Sequence, residues 1–345
     1  MDFEKIYAKL PEFIKYNNFI LDFFLKIPKK IDKLNKKSKV AESQKKLFEL
    51  ILLNSDFKVT GISRNIQLLY LELLRFIDNV CKKHDINYWI SDGTLIGAVR
   101  HGGFIPWDDD IDLSIMREDY NKLIEVLPIE ISKHEYFKQE CGLSLLKDNH
   151  ENHFKDFNGI YDYENIEDVC GEDKFLFLQI AWLKPFVKID FFPKDYVCED
   201  KLDFFKKNYR STKYKFNQDI KYGKKKFDEE FKHQNERLGF VENKTNYVCD
   251  ALDTLQLTPA WIWETNKIFP FDTIDFEGYT FNCPNDIDHF LSIVYGPDYM
   301  SLPDVIDTHE VKPFILNQFN SMNDINEKFK NDIEYLRKIN DEFNE

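Results

Sequence analysis

Two aspartates have the type and spacing that could do chemistry. Asp110 and Asp112 stand two residues apart in the string Asp110-Ile111-Asp112-Leu113. Because side chains alternate between the faces of a β-strand, a strand here would project both carboxylates to one side and bury Ile111 and Leu113. Adjacent carboxylates repel each other unless a cation lies between them, and Mg²⁺ takes one or two carboxylates together with substrate phosphates. The spacing therefore predicts a metal-dependent site that acts on a phosphorylated substrate.

A third candidate, Asp190, lies between large apolar residues in the strand-like run Val187–Phe192. Burying a lone carboxylate is costly unless the carboxylate is paired or binds a metal. A metal ligand and a structural aspartate are both consistent with this position. Three carboxylates with one or two Mg²⁺ or Mn²⁺ ions would suit in-line attack on phosphorus, with Asp190 as a metal ligand or as acceptor of the attacking hydroxyl's proton.

The segments ahead of the paired aspartates predict how the site is assembled. Apolar residues recur at helical spacing from Ile66 to Val80, and the short apolar run Tyr88–Ile90 predicts a strand. The next residues, Ser91-Asp92-Gly93-Thr94, predict a tight turn whose backbone N–H groups and hydroxyl face a phosphate, with the glycine permitting close approach. A short helix over Leu95–Val99 follows. The predicted order is helix, strand, turn, short helix and second strand.

Three residues of the loop between this short helix and the second strand are candidates for contacts with substrate. Arg100 could bind a phosphate through its planar guanidinium, or pair with a nearby aspartate and hold the loop. His101 could be a general acid or base, or brace the loop by a hydrogen bond. Trp107 could face a quaternary ammonium group through cation–π attraction, or pack in the core. The sequence leaves these alternatives open.

The string that contains these residues, DGTLIGAVRHGGFIPWDDDID (residues 92–112), resembles the LicD family of bacterial phosphocholine transferases. The animal relatives of that family are fukutin and fukutin-related protein. The similarity continues in the hydrophobic-Asp-hydrophobic-Phe-Pro string around Asp190 and in two later strings, FPFDTIDFEGYTFNCP and YGPDYMSLP. It covers about residues 61 to 310 in three separated blocks.

The resemblance implies an α+β fold: a nucleotidyltransferase-type core in which helices flank a mixed β-sheet, with helical and hairpin additions. In this fold a third carboxylate on a neighbouring strand completes the metal site, which is the role implied for Asp190. We expect an N-terminal helical extension over residues 1–60, the catalytic domain over residues 61–310 and a C-terminal helical tail over residues 311–345. The last thirty residues, rich in Asn, Asp, Glu and Lys, predict an exposed helix.

The resemblance also implies a reaction. A phospho-alcohol, phosphocholine in the usual case and phosphoglycerol or phosphoribitol in others, would pass from a CDP-linked donor to a hydroxyl of a surface glycan, releasing CMP. Lipopolysaccharide, teichoic acid or capsule would be the acceptor, free or lipid-linked. Two alternatives are a nucleotidylyltransferase acting on a sugar phosphate or a protein, and a non-catalytic relative that binds glycan.

Net charge, cysteine spacing and the N-terminal pattern narrow the classes of protein to which this chain could belong. A formal net charge of −14 argues against a general nucleic-acid binder, which needs a basic surface. The six cysteines form no Cys-x-x-Cys pair, so neither a compact disulfide framework nor a common zinc module is predicted. The N-terminus lacks the pattern of a signal peptide, and we expect a cytoplasmic protein with at most peripheral contact at the inner face of the membrane. Residues 1–60 could touch an anionic membrane surface or a partner, or form a solvated helical cap. The lysine-rich residues 199–237 could attract an anionic glycan or a lipid-linked acceptor, or form a solvated helical segment.

Overall fold

The computed structural model describes residues 35–43, 46, 59–144, 153–156, 159–162, 179–182, 187–221, 227–254, 258–302, 319 and 321–343. The chain divides into two compact units, residues 1–57 and 58–345. In the first unit, the described residues 35–43 are helical. All elements below belong to the second unit.

The described part of the second unit contains both helices and strands. The helices are α1 Ile62–Lys83, α2 Asp92–His101, α3 Arg117–Ser132, α4 Glu135–Glu140, α5 Leu202–Lys221, α6 Phe227–Leu238, α7 Thr265–Ile268, α8 Ile287–Tyr295 and α9 Met322–Glu342. The strands are β1 Tyr88–Ile90, β2 Ile111–Met116, β3 Cys141–Ser144, β4 His153–Asp156, β5 Gly159–Asp162, β6 Gln179–Trp182, β7 Val187–Val197, β8 Phe240–Val241, β9 Tyr247–Asp250, β10 Ile262–Glu264, β11 Asp272–Phe276 and β12 Tyr279–Cys283.

The main sheet is mixed, with the order β1-β2-β7-β6-β3-β4-β5. β2 and β7 are parallel neighbours at its centre, and β1 and β6 run antiparallel on either side of them. The C-terminal half of β7 continues into a second group of antiparallel strands, β8, β9 and β10. This architecture confirms the predicted α+β fold. No helix in the described ranges is both long enough and apolar enough to cross a bilayer.

Helix α1 is the central helix of the core, as the apolar periodicity predicts. Its residues Ile66, Leu69, Leu73, Ile77 and Val80 are buried, and the helix packs against β7 and along α9. Long apolar side chains at helical spacing form one continuous face, which must be covered by neighbours to leave water. The helix therefore links the sheet to the C-terminal helix.

Helix α9 corrects the prediction of an exposed C-terminal helix. The helix is present, but Ile325, Phe329 and Leu336 on one face are buried in the main core. The apolar residues of this helix are few and widely spaced in a polar sequence, so the sequence did not reveal the buried face. The spacing of seven residues between Phe329 and Leu336 still places them on the same side of the helix.

The lysine-rich segment forms α5 and α6, which pack on β9 around a smaller core of their own. Lys213, one of its cations, is fully buried and donates hydrogen bonds to Thr254 Oγ1 and to the Ala251 carbonyl. Burial lowers the pKa of this ammonium to about 8. The segment is helical as predicted, but this lysine is part of the interior and not of a basic surface.

Candidate functional site

The two parallel central strands bring two of the predicted carboxylates side by side. Asp112 of β2 lies opposite Asp190 of β7 in the sheet register. Residues paired in adjacent parallel strands project to the same face, so these carboxylates share a side of the sheet. Asp190 is 7% exposed. Asp110 directly precedes the first residue of β2, so it lies at the strand's beginning and not within the strand as predicted.

The predicted turn over residues 91–94 is the N-terminal end of helix α2, and this corrects the expected helix start at Leu95. The Ser91 N–H donates to the Asp112 carbonyl at 3.1 Å, and the Asp112 N–H donates to Thr94 Oγ1 at 2.9 Å. These two bonds attach the helix to the strand that carries Asp112. A helix N-terminus presents unpaired backbone N–H groups and favours anions such as phosphate.

Gly93 brings the helix and the acidic residues together. A Cβ at this position would lie 3.3 Å from Asp108 Oδ2 and 3.8 Å from Asp112 Oδ2. Asp108, which was not among the predicted site residues, therefore belongs to the same group. The run Trp107-Asp108-Asp109-Asp110 was the available signal, but the sequence could not show which aspartate turns towards the glycine.

Five carboxylates influence one another electrostatically, and we call them the acidic cluster: Asp92, Asp108, Asp110, Asp112 and Asp190. Burial raises the pKa of Asp112 well above its ordinary value, and the other four members raise it further. Burial also raises the pKa of Asp92, which the buried ammonium of Lys194 opposes. The structure thus concentrates negative charge where the sequence predicted a cation site.

Two tyrosines lie in the negative field of the acidic cluster. Burial raises the pKa of Tyr70 well above its ordinary value, and so do Asp110 and Asp190. Its hydroxyl accepts a hydrogen bond from the Lys188 N–H at 3.1 Å, next to β7. Desolvation of its hydroxyl and the charges of the cluster likewise raise the pKa of Tyr295, although the residue as a whole is 44% exposed. The periodicity of Ile66–Val80 had indicated only that Tyr70 is part of a helix.

The donor set of the acidic cluster fits Mg²⁺ or Mn²⁺ by chemical type. Hard divalent cations take oxygen ligands, and Mg²⁺ usually keeps waters and uses one or two carboxylates together with phosphate. Within the described residues, no three or more Asp, Glu, His or Cys side chains are placed so that together they could hold a metal ion. Asp110, Asp112 and Asp190 are the predicted ligands, and an ion they hold would need water and substrate to complete its coordination.

Arg100, His101 and Trp107 form a second group at the other end of α2. Arg100 donates from Nε to His101 Nε2 at 3.1 Å and from Nη1 to the Ser301 carbonyl at 3.1 Å. The Arg100 guanidinium also lies 5.9 Å from the centre of the Trp107 ring. Burial and the charge of Arg100 lower the pKa of His101 to about 4, so the imidazole is neutral near pH 7. Trp107 is half-buried and packs against the main core.

Comparison with known proteins assigns the segment that contains this geometry. Residues 85–247 match the family model described as LicD/FKTN/FKRP, nucleotidyltransferase domain. The match covers less than half of this chain, and it shows that this segment is similar to the LicD/FKTN/FKRP nucleotidyltransferase domain. The LicD match includes Ser91–Thr94, the acidic cluster and the second group around Arg100.

Individual relatives agree with this assignment. The lipopolysaccharide cholinephosphotransferase LicD of Haemophilus influenzae is 41% identical over 83 residues, 24% of this chain and 31% of the relative. An uncharacterised protein of Rickettsia typhi is 30% identical over 175 residues, 50% of this chain and 47% of the relative. The human ribitol 5-phosphate transferase FKRP is 46% identical over 48 residues, 14% of this chain and 10% of the relative. The chain thus spans less than half the length of each of these relatives.

Proposed function

We propose that this protein transfers a phospho-alcohol from a CDP-linked donor to a hydroxyl of a glycan and releases CMP. The observation that carries the proposal is the pairing of Asp112 with Asp190 on parallel strands, beside the N-terminus of α2. The activities of two relatives, cholinephosphotransferase and ribitol 5-phosphate transferase, support the reaction class. Phosphocholine, phosphoglycerol and phosphoribitol are the candidate groups, and lipopolysaccharide, teichoic acid or capsule the candidate acceptors.

Each part of the site has a role in this reaction. The N-terminal N–H groups of α2, at Gly93 and Thr94, bind the donor's phosphates. Asp110, Asp112 and Asp190 would hold Mg²⁺ or Mn²⁺, which supplies charge stabilisation for the attacking and leaving oxygens. The alternative role for Asp190 is to accept the proton of the attacking hydroxyl.

The bonds that change are defined by the products. The acceptor oxygen forms a bond to the phosphorus that carries the alcohol, and the bond from that phosphorus to the bridging oxygen of CDP breaks. CMP leaves with the bridging oxygen and its electron pair, and the proton of the acceptor hydroxyl passes to a carboxylate. Positioning and electrostatics provide most of the rate in such transfers.

The test is CMP release, measured by chromatography with Mg²⁺ and each of CDP-choline, CDP-ethanolamine, CDP-glycerol and CDP-ribitol, with a glycan acceptor present. Release from one donor, lost in Asp112→Asn and Asp190→Asn, would support the proposal and identify the transferred group. Pyrophosphate released from nucleoside triphosphates instead would favour nucleotidyl transfer. Binding of glycan without either product would favour the non-catalytic alternative.

We place this reaction in the cytoplasm, at the inner face of the membrane if the acceptor is lipid-linked, because CDP-linked donors are cytoplasmic metabolites. Fractionation of cells that produce the tagged chain would test the location.

A further inference from the structure

A buried salt bridge connects the β11–β12 hairpin to helix α1. Glu277, in the turn of the hairpin, accepts hydrogen bonds from Arg64 Nη1 at 3.0 Å and Nη2 at 2.7 Å. The Glu277 side chain is 4% exposed, and that of Arg64 is 20% exposed. Bidentate arginine–carboxylate pairs fix both distance and orientation. The pair therefore sets where the hairpin turn lies against the helix.

The turn is an unusual place for a glutamate. Glu277 and Gly278 have φ values of 53° and 85°, the left-handed region that a two-residue hairpin turn requires. Asn, Asp and Gly adopt this region with least strain, whereas a longer L-residue is disfavoured there. Nothing about the turn itself favours glutamate at this position. Its side chain, however, reaches into the protein and makes contacts beyond Arg64.

Those contacts hold the loop that precedes β2, residues 102–110, which we call the acidic loop. The Phe104 N–H donates to Glu277 Oε1 at 3.3 Å, and the Glu277 N–H donates to the Gly102 carbonyl at 2.9 Å. A Cβ on Gly103 would lie 2.3 Å from Glu277 Oε1. The start of the acidic loop is therefore packed directly against the glutamate.

The same network reaches the far end of the loop through Gln67 of α1. Arg64 Nη1 donates to Gln67 Oε1 at 3.3 Å, and Gln67 Nε2 donates to the carbonyls of Ile105 and Asp108, each at 3.3 Å. Gln67 is 3% exposed. The carboxylate of Asp108 then faces Gly93 and Asp112. A continuous set of contacts thus leads from Glu277 to the acidic cluster.

We propose that Glu277, held by Arg64, is a positioning residue that fixes the acidic loop so that Asp108 is presented to Gly93 and Asp112. Its catalytic consequence rests on the proposed function. Glu277 does not touch the reacting groups. It acts by keeping the loop in one place, since a small displacement would move Asp108 away from the N-terminus of α2.

A matched control lies on the same helix. Glu72 is 1% exposed and accepts from Arg75 Nη1 and Arg337 Nε, each at 2.7 Å. Glu72 therefore joins α1 to α9, whereas Glu277 joins α1 to the acidic loop. Glu72 and Glu277 are therefore both buried glutamates bound by arginines, and they differ in what they hold.

The experiment compares Glu277→Gln, Arg64→Gln and their double variant with Glu72→Gln in the full chain. Hydrogen–deuterium exchange reports the mobility of residues 102–108. Mn²⁺ titration followed by electron paramagnetic resonance reports the affinity of the acidic cluster for a divalent cation. We expect faster exchange in the acidic loop, an Mn²⁺ Kd raised about fivefold, and kcat for CMP release lowered about tenfold or more with little change in KM. The double variant should be no worse than either single variant, because both remove one network.

Glu72→Gln should lower the melting temperature while leaving the acidic loop and the Mn²⁺ Kd as in the wild type. If Glu277→Gln does not fold, Gly103→Ala displaces the same carboxylate from the loop side and should give the same exchange pattern. The proposal is overturned if Glu277→Gln leaves loop exchange and Mn²⁺ affinity unchanged, or if Glu72→Gln alters both equally. Exchange and Mn²⁺ binding need no turnover, so absence of CMP release with every donor would refute the proposed function without deciding this point.

Discussion

Two groups of buried aspartates lie close together in this protein and are treated in opposite ways. In the acidic cluster, burial and neighbouring carboxylates raise the pKa of Asp112 well above its ordinary value. In the other group, which we call the Arg117 group, Arg117 donates to Asp195 at 2.8 and 2.9 Å and to Asp253 at 2.7 and 2.9 Å. Although burial opposes the charge of Arg117, the two aspartates raise its pKa well above the ordinary value.

One strand supplies both groups. Asp190 and Asp195 of β7 are five residues apart, an odd separation that places them on opposite faces of the sheet. On one face the chain supplies the counter-charge with a bidentate arginine, which is how buried carboxylates are made compatible with folding. On the other face Lys194 opposes the shift at Asp92, but Asp112 is surrounded by carboxylates that repel it, a cost that folding alone does not explain. Clusters with such strongly shifted pKa values are typical of functional sites.

The largest expected effect is on catalysis, in the acidic cluster. Asp112→Asn should lower CMP release by about 10⁴-fold, because it removes a proposed metal ligand beside the reacting phosphorus. The free energy of unfolding should stay the same or rise, since one repulsive charge is gone. Urea denaturation and the chromatographic assay measure the two quantities on the same sample. A variant that keeps more than a tenth of the wild-type rate would exclude this role for Asp112.

The corresponding change in the Arg117 group should affect folding. Arg117→Gln leaves Asp195 and Asp253 buried without their arginine, and we expect a loss of about 3–5 kcal/mol in the free energy of unfolding. Urea denaturation is the measurement. Adding Asp195→Asn and Asp253→Asn to this variant should restore much of the loss, because the stranded charges are then removed. A loss below about 1 kcal/mol for Arg117→Gln would contradict the comparison.

A divalent cation should stabilise the protein by binding to the acidic cluster and not to the Arg117 group. We expect this effect to be of intermediate size. Mg²⁺ at about 100 times its Kd should stabilise the wild type by about 2.7 kcal/mol, the amount that ligand binding to the folded state alone provides. The shift in melting temperature should disappear in Asp112→Asn and Asp190→Asn and persist in Asp195→Asn. A shift of the same size in Asp112→Asn would place the ion elsewhere.

Much of the fold and part of the site follow from sequence pattern. Helix α1 has a long apolar periodicity, and it was predicted from that local signal. The β11–β12 hairpin has a two-residue turn with glycine, a local signal of the same kind. The proximity of Asp110 and Asp112 also follows from spacing alone. Their approach to Asp190 does not, because the parallel pairing of β2 with β7 brings together residues 78 positions apart for the Asp112–Asp190 pair.

What could not be predicted depends on contacts between distant segments. Glu277 reads as a turn residue, and its contact with the acidic loop exists only because the hairpin packs beside α1 and α2. A proline usually ends a helix, yet α3 continues through Pro128 to Ser132. The buried Leu127 and Ile131 hold the last turn against the core, which offsets the hydrogen bond that proline cannot donate.

The smallest expected effect is in a third acidic site, which resembles the Arg117 group. Glu130 is 2% exposed and is bound by Lys83 at 3.0 Å, by His84 at 2.7 Å and by Lys133 at 2.7 Å. Burial opposes the charge of Glu130, but the hydrogen bonds from Lys133, His84 and Lys83 outweigh it and lower the pKa from 4.5 to about 2. Here too the chain supplies the counter-charge.

The sign of the pH dependence follows from that shift. Because the folded pKa of Glu130 is lower than the unfolded one, its stabilisation is complete above pH 4.5 and is lost as the pH falls towards 2. The contribution of Asp112 to stability depends on pH with the opposite sign, since its raised pKa makes folding less favourable as the pH rises above 3.8. Glu130→Gln should therefore cost about 1–2 kcal/mol at pH 7, a modest amount because both lysines are about half exposed, and nothing near pH 2. Urea denaturation at a series of pH values would show this, and a Glu130→Gln loss that grew as the pH fell would mean that the carboxylate is not held by these cations.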